Sequence, residues 1–452
     1  MKHMTLALFG LLFFSITSPT SAHAAGAYIS VGKAKVKKTI LAVAPIQWDG
    51  VERPREDWKE IIKETITRDL TFMDYFRFLP ESEFKEGSGA GMLPSTFKFA
   101  DWSSVGAEFV LKSTLSTDKG AVRLDAYFYD PVKGVQLFAK RYVASTDHIA
   151  TIGHYLSNDI IEGLTGTPGI FLTRIAMSCD RTKKKEIYMM DFDGSNVKQI
   201  TRHGSIAFAP SWSPDGTRLA YSLFTKHANN QRNIDLFEFN FSNNTIRLLS
   251  NRTGINSGAF YAPDGKSLIL TMSFLGNPEI FSLDTVKRSV KRLTRSYGFD
   301  VDPSWSPNGK RITFASSRSG KPMIYSMNAD GSDLKRLTFA GRYNATPSWS
   351  PSNNKIAFAS WIDEGFDIFL MNPDGTKLER LTKDQGSNED PQFSHDGNFL
   401  VFSSDRTGSK NVYVMNIDGT FVKRLTYGLG NCVTPRWSAP PLKLGYVKAT
   451  EL

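Results

Sequence analysis

Only two cysteines occur in 452 residues, so neither a disulfide-rich scaffold nor a multi-cysteine metal site is open to this chain. Beyond its first two dozen residues no run of about 18 apolar residues exists, which excludes an ordinary membrane-spanning helix there. Low-complexity tracts and heptad repeats are missing, and with them the case for disorder or a coiled coil. The chemistry-bearing motifs are missing too: no Gly-x-Ser-x-Gly, no His-Glu-x-x-His, no Cys-x-x-Cys and no phosphate-cradling glycine loop, since Gly87 to Gly91 has no suitable helix start behind it. His148 and His154 have a spacing unlike a metal site, and His203, His227 and His395 fall in separate loops or turns. All five are expected at the surface.

What is present is the composition of a folded protein, 40% hydrophobic and 22% charged, in a chain long enough for two domains. Lys2 and His3, the apolar run from Met4 to Ile16 and the small residues of Ser21-Ala22-His23-Ala24 read as a secretory signal over residues 1–24, with the mature chain starting at Ala25. The net charge of +10 is spread along the chain, with short basic runs only at Lys33 to Lys38 and Arg181 to Lys185. An exported protein meets little nucleic acid, so the basic residues read as a solvated surface.

Internal repetition decides the fold. Ser211-Trp-Ser-Pro-Asp-Gly216 recurs as Phe260-Tyr-Ala-Pro-Asp-Gly265, Ser304-Trp-Ser-Pro-Asn-Gly309, Ser348-Trp-Ser-Pro-Ser-Asn353, Gln392-Phe-Ser-His-Asp-Gly397 and Arg436-Trp-Ser-Ala-Pro440. The aromatic positions are 49 residues apart once and 44 apart four times. Within a unit, four short β-rich runs alternate with turn residues, as in Pro303 to Ser306, Arg311 to Ser316, Met323 to Asn328 and Lys335 to Thr338. Asp-Gly and Asn-Gly pairs supply the positive φ of tight hairpins, and proline suits an inner edge strand. A period of 40–50 residues with four strands each is the signature of a propeller. The repeated aromatic residues are expected to pack between blades.

Strand counting gives the closure. Ile170 to Thr201 supplies strands two to four of a unit without its first strand, and Thr434 to Ser438 supplies a first strand alone. Joined in one blade, they close a six-bladed ring without an open edge. Laying this blade on the third repeat sets Cys179 at the place of Ser316 and Cys432 at that of Asp300, nearly opposite one another. A Cys179 to Cys432 disulfide locking the ring is expected in an oxidising compartment; two buried thiols are the alternative.

Residues 25–165 lack the repeat and read as an α/β domain with a mixed sheet and two helices. Strands are expected at Thr39 to Ile46, Ala107 to Leu115, Val122 to Tyr129 and Val135 to Val143, and helices at Pro54 to Phe72 and Thr146 to Leu164, each with an aligned apolar face. Gly163 to Gly169 reads as the hinge to the propeller of residues 166–440. Residues 441–452 form a tail whose Lys443 to Val447 run reads either as an extra strand or as loose chain.

One constellation carries a functional reading. The loops entering the first strand of each blade hold Asn256, Asp300, Asp302, Asn344, Thr346, Glu389, Asp390, Asn431 and Thr434. Placed around a channel mouth, such a ring suits a partner loop or a hard cation such as calcium, which takes oxygen ligands; the plain alternative is that they cap strands and turns. Asp302 and Glu389 stand out as repeating at one loop position. No cofactor is otherwise expected.

The repeats, the Leu41 to Gln47 strand followed by Trp48, Trp102-x-x-Val-Gly-Ala-Glu, and above all Leu164-Thr-Gly-Thr-Pro-Gly-Ile-Phe-Leu-Thr-Arg-Ile175 make the chain resemble the TolB family of periplasmic propellers. That resemblance implies a monomeric, non-catalytic periplasmic protein of the Tol-Pal system, peripheral to the envelope membranes. It implies binding of the lipoprotein Pal by the propeller face and contact with TolA through the N-terminal side, in support of outer-membrane integrity and constriction at division. The family's docking segment corresponds here to Ala25 to Gly32, including Tyr28, Ile29, Ser30 and Val31; the Lys33, Lys35, Lys37, Lys38 stretch behind it departs from the family pattern. A propeller that binds a small ligand or metal is the competing reading.

Overall fold

The computed structural model describes residues 38–50, 57–87, 90–118, 120–228, 230–351, 354–440 and 447–452. The expected signal sequence over residues 1–24, the expected docking segment from Ala25 to Gly32 and the expected helix start at Pro54 lie outside these residues. No helix among the described residues is long and apolar enough to cross a membrane.

The N-terminal sheet is mixed. Strand β1 (Thr39–Val43) lies parallel to both β3 (Phe76–Phe78) and β4 (Phe109–Asp118), and β2 (Gln47–Trp48) is also parallel to β4. Strands β5 (Ala121–Asp130) and β6 (Val135–Ser145) continue antiparallel. Side chains alternate across a strand, so Leu41 and Val43 face helices α1 (Asp57–Phe72) and α3 (Ile149–Thr165) while Ala42 and Ala44 face the short α2 (Phe99–Ser103), where Trp102 is buried. The two long helices approach closely because Gly153 has no side chain: a Cβ there would lie 2.8 Å from Thr65.

The end of the chain returns to this sheet. Val447–Glu451 pairs antiparallel with β6 over five residue pairs, so part of the expected tail is an edge strand of the first domain. Only Val447 in it is buried, and the strand begins at the last residue of the Lys443 to Val447 run that reads as an extra strand. Most of Gly163 to Gly169 is exposed, and packing begins directly behind it. Gly166 caps α3 in the left-handed region (φ 73°), Ile170 and Phe171 are buried, and Asn158 Oδ1 accepts the Phe171 N–H at 3.2 Å.

Six four-stranded antiparallel sheets form the propeller. Blades 1 to 5 begin with inner strands Ala207–Trp212, Asn256–Tyr261, Asp300–Trp305, Tyr343–Trp349 and Asn388–Phe393. Blade 6 takes its inner strand, Cys432–Trp437, from the end of the chain and its other three from Arg174–Cys179, Glu186–Asp191 and Lys198–Gln199. Cys432 stands opposite Cys179 in the register, as Asp300 stands opposite Ser316, and the two sulfurs are bonded at 2.08 Å.

The repeated aromatic residues join neighbouring blades. Trp212 packs with Ala176 and Ile187 of blade 6, Tyr261 with Leu236 of blade 1, Trp349 with Ala315 and Ile324 of blade 3, and Phe393 with Ala357 and Ile368 of blade 4. Turns do the same job on the outer side. Gly331 (φ 96°) sits where a Cβ would lie 2.6 Å from the Leu293 carbonyl oxygen of the preceding blade, so glycine alone fits.

The N-terminal domain rests on the face that carries the turns between inner and second strands and between third and outer strands. Phe72 at the end of α1 meets Phe192 of blade 6 edge-on at 5.1 Å, and Phe399 and Phe421 of blade 5, each at 5.9 Å. Arg68 reaches Asp193 at 3.4 Å, and the Trp437 indole donates to Thr173 Oγ1 at 2.6 Å. The opposite face of the ring carries the loops between blades and the turns between second and third strands.

Candidate functional site

The polar ring resolves into layers. Eight of its nine residues lie inside the inner strands rather than in loops, and only Asn431 precedes its strand. The strands begin upstream of their prolines because each carries a bulge. In blade 3 the pairing steps from Val301 directly to Ser304, and the residue three before the aromatic is left-handed in every blade: Ala209, Gly258, Asp302, Thr346, Asp390 and Thr434, with φ between 47° and 61°. The bulge turns this position toward the channel axis.

The outermost layer is structural. Asn256, Asp300 and Asn344 are wholly buried and tie each blade to the one before it or to their own second strand. Asn256 Nδ2 donates to the Ile234 and Arg252 carbonyls at 2.8 and 2.6 Å, Asn344 Nδ2 to Thr338 Oγ1 at 2.9 Å, and Asp300 pairs with Arg318 at 2.7 Å. Asn431 is exposed and clasps Asp180 across the closing blade, its N–H at 2.6 Å and its Nδ2 at 3.0 Å from the carboxylate.

The inner layer gathers Asp302, Thr346, Asp390 and Thr434. Each carboxylate accepts a backbone N–H from the next blade: Asp302 from Thr346, and Asp390 from Thr434 at 3.2 Å. Burial pushes Asp302 up to about 6, with the charge of Asp390 adding to the effect, and burial also raises Asp390. Arg436 shares this enclosure; desolvation lowers its pKa, while Asp390 and Asp302 hold its charge. A positive charge thus already acts on both carboxylates, which disfavours a calcium ion there. Among the described residues no three His, Cys, Asp or Glu side chains form a metal-binding group.

Glu389 does not repeat the position of Asp302. It lies four residues before its aromatic, not three, and the true counterpart of Asp302 is Asp390. Glu389 turns to the mouth, where it takes Lys410 Nζ at 2.5 Å and the Ser387 hydroxyl at 2.7 Å. Three of the five histidines differ from expectation as well. His154 is paired at 2.7 Å with Asp69, a fully buried residue of α1 whose pKa burial raises, and His203 and His227 are half-buried against Tyr221 and Asp235. Nothing in the spacing of His154 could have shown this, because its partner lies 85 residues away.

Sequence reasoning passed over the rim of the mouth. In five of the six blades a buried Thr just past the outer strand accepts the backbone N–H of the third strand, as Thr201, Thr294, Thr338, Thr382 and Thr426 do at 2.8–3.0 Å, while blade 1 has Ser250 there. With that hydroxyl anchored inward, the next residues point to solvent. Tyr297, Phe339 and Tyr427 project there, with exposures of 106%, 75% and 68%. The signal was legible as the recurring Leu-Thr-x of Leu293, Leu337, Leu381 and Leu425.

Two family models cover the chain: a TolB amino-terminal domain over residues 27–137 and a TolB beta propeller domain over residues 161–362 and 344–451. A protein TolB homolog of Chlorobaculum tepidum is 33% identical over 279 residues, which cover 62% of this chain and 61% of the relative. The Tol-Pal system protein TolB of Desulfosudis oleivorans is 33% identical over 275 residues, 60% of this chain and 61% of the relative. The match therefore spans about three-fifths of these relatives' length. The crystal structure of TolB from Acinetobacter baumannii superposes with a TM-score of 0.75 at 25% identity, covering 89% of this chain and 97% of that one.

Proposed function

The chain belongs to the TolB family, and from that membership we propose that it is a non-catalytic periplasmic scaffold of a Tol-Pal system. In this reading it holds the peptidoglycan-associated lipoprotein Pal on the propeller face around the channel mouth and reaches TolA through its N-terminal side. It would thereby help maintain the outer membrane and support envelope constriction at division. One observation carries the reading. The N-terminal domain occupies one face of the ring, and on the other the rim aromatics Tyr297, Phe339 and Tyr427 stand exposed around a polar-lined channel. Exposed aromatic side chains on a rigid rim are the usual anchors of protein recognition.

The test is a pull-down from an envelope extract with the mature protein, compared with Asp302→Lys/Glu389→Lys checked for folding. Recovery of the lipoprotein by wild type and its loss with the variant is the expected result. Recovery by neither removes the Pal assignment and leaves a small-ligand propeller as the reading.

A further inference from the structure

We infer that the propeller face opposite the N-terminal domain takes an acidic protein surface that also presents an apolar side chain. The inference rests on the partner-binding reading above and adds the chemistry of the partner.

Charge separates the two faces. The loops between blades and the turns between second and third strands carry thirteen Lys and Arg against five Asp and Glu, whereas the turns of the opposite face carry six against eight. The excess is exposed. Arg202, Arg295, Arg342, Lys321 and Lys383 all reach solvent, as do Lys183 and Lys184 of the closing blade. Of the five acidic groups in these loops, Asp180 is held by Asn431, Asp363 by Arg380 at 3.0 Å and Asp405 by Lys410 at 3.5 Å, and Asp384 lies 4.0 Å from Lys383. On the other face, Asp215, Asp330, Asp333 and Asp374 are held ionised by hydrogen bonds, chiefly from Ser213, Ser332, Arg311 and Thr376 respectively, so that face stays acidic.

Apolar anchoring sites are interleaved with this charge. The residue after the anchored Thr or Ser alternates around the mouth as Arg202, Asn251, Arg295, Phe339, Lys383 and Tyr427. Beside Tyr297 a depression of about 490 Å³ opens between blades 2 and 4, lined by Pro278, Phe299, Val301 and Tyr343. Its wall is preformed, because Asn277 Nδ2 donates to the Ser296 and Tyr297 carbonyls at 3.1 and 2.7 Å. An open apolar depression set in a cationic rim suits a folded protein surface that presents an apolar side chain. A flat lipid headgroup layer would meet the rim charges and leave the pocket empty.

The test uses the full mature protein and the soluble domain of the same organism's peptidoglycan-associated lipoprotein, with titration calorimetry at low and raised salt. Expected are at least tenfold weaker binding on raising the salt and at least tenfold weaker binding for Arg295→Glu/Lys383→Glu and for Tyr297→Ala, with Lys310→Glu/Lys355→Glu on the other face unchanged. The salt series needs no variant, so a misfolded variant cannot hide the answer. Binding indifferent to salt and to the rim variants overturns this inference and leaves the Pal reading standing. No binding at all removes the Pal reading and this inference with it. Binding to vesicles of phosphatidylglycerol and phosphatidylcholine, lost with the same rim variants, makes the face a lipid surface and overturns it.

Discussion

Reducing the Cys179–Cys432 bond separates the contribution of ring closure from that of blade packing. The bond joins residues 253 apart in sequence, and both sulfurs are fully buried in the blade that ties the two ends of the propeller together. Chain-entropy reasoning for a closed loop of this size gives about 5 kcal/mol of stabilisation, exerted on the unfolded chain. At about 2.1 cal/mol/K of unfolding entropy per residue, that loss lowers Tm by about 6 °C if roughly 400 residues unfold together, or about 9 °C if roughly 270 propeller residues unfold alone. Differential scanning calorimetry of oxidised and fully reduced protein measures it with no side chain changed, and the Cys179→Ala/Cys432→Ala variant checks it. Equal Tm values within about 1 °C would refute the reasoning, since the strand register alone would then close the ring.

Asp302→Asn should stabilise the protein at neutral pH. Its folded pKa of about 6 lies above the ordinary carboxylate value of 3.8, so the group's stabilising contribution is full below about 4 and is lost as pH rises through 6. The carboxylate therefore costs the native state up to about 3 kcal/mol at pH 7, and urea midpoints of wild type and variant should converge toward pH 4; a constant offset across that range contradicts the assignment. Phe72→Ala removes the ring that Phe192, Phe399 and Phe421 share, with an expected loss of about 3–5 kcal/mol; hydrogen exchange should show α1 and the outer turns of blades 5 and 6 deprotected together, and independent behaviour would contradict the shared core. Truncation after Ala439 strips β6 of its edge partner and should raise amide exchange in Arg141 to Ala144 while blades 1 to 4 stay unchanged; unchanged exchange in β6 would contradict the pairing.

The ring was legible because its carriers are local: a tight turn and one aromatic per unit recur at a constant period, and the two half-blades could be counted. The cysteines became a pair only once that register was laid down. The rest depended on contacts distant in sequence. Val447 to Glu451 has a single buried residue, and its strand exists because β6 offers an edge. Asp69 and His154 meet only because α1 and α3 pack. The polar ring was half visible: its members were found, but the bulge that splits them into buried latches and channel-facing groups is a backbone feature. A left-handed Asp302 or Thr346 cannot be read from a motif whose prolines suggest that the strand starts one residue later.

Hydrogen exchange of the whole mature chain with and without the soluble lipoprotein domain tests the central claim most directly. The account predicts protection in the loops around Tyr297, Phe339, Lys383 and Tyr427, and none in the turns around Asp264, Asp330 and Asp374 on the other face. Protection of those turns instead, or a binding partner that leaves the rim unprotected, would contradict it.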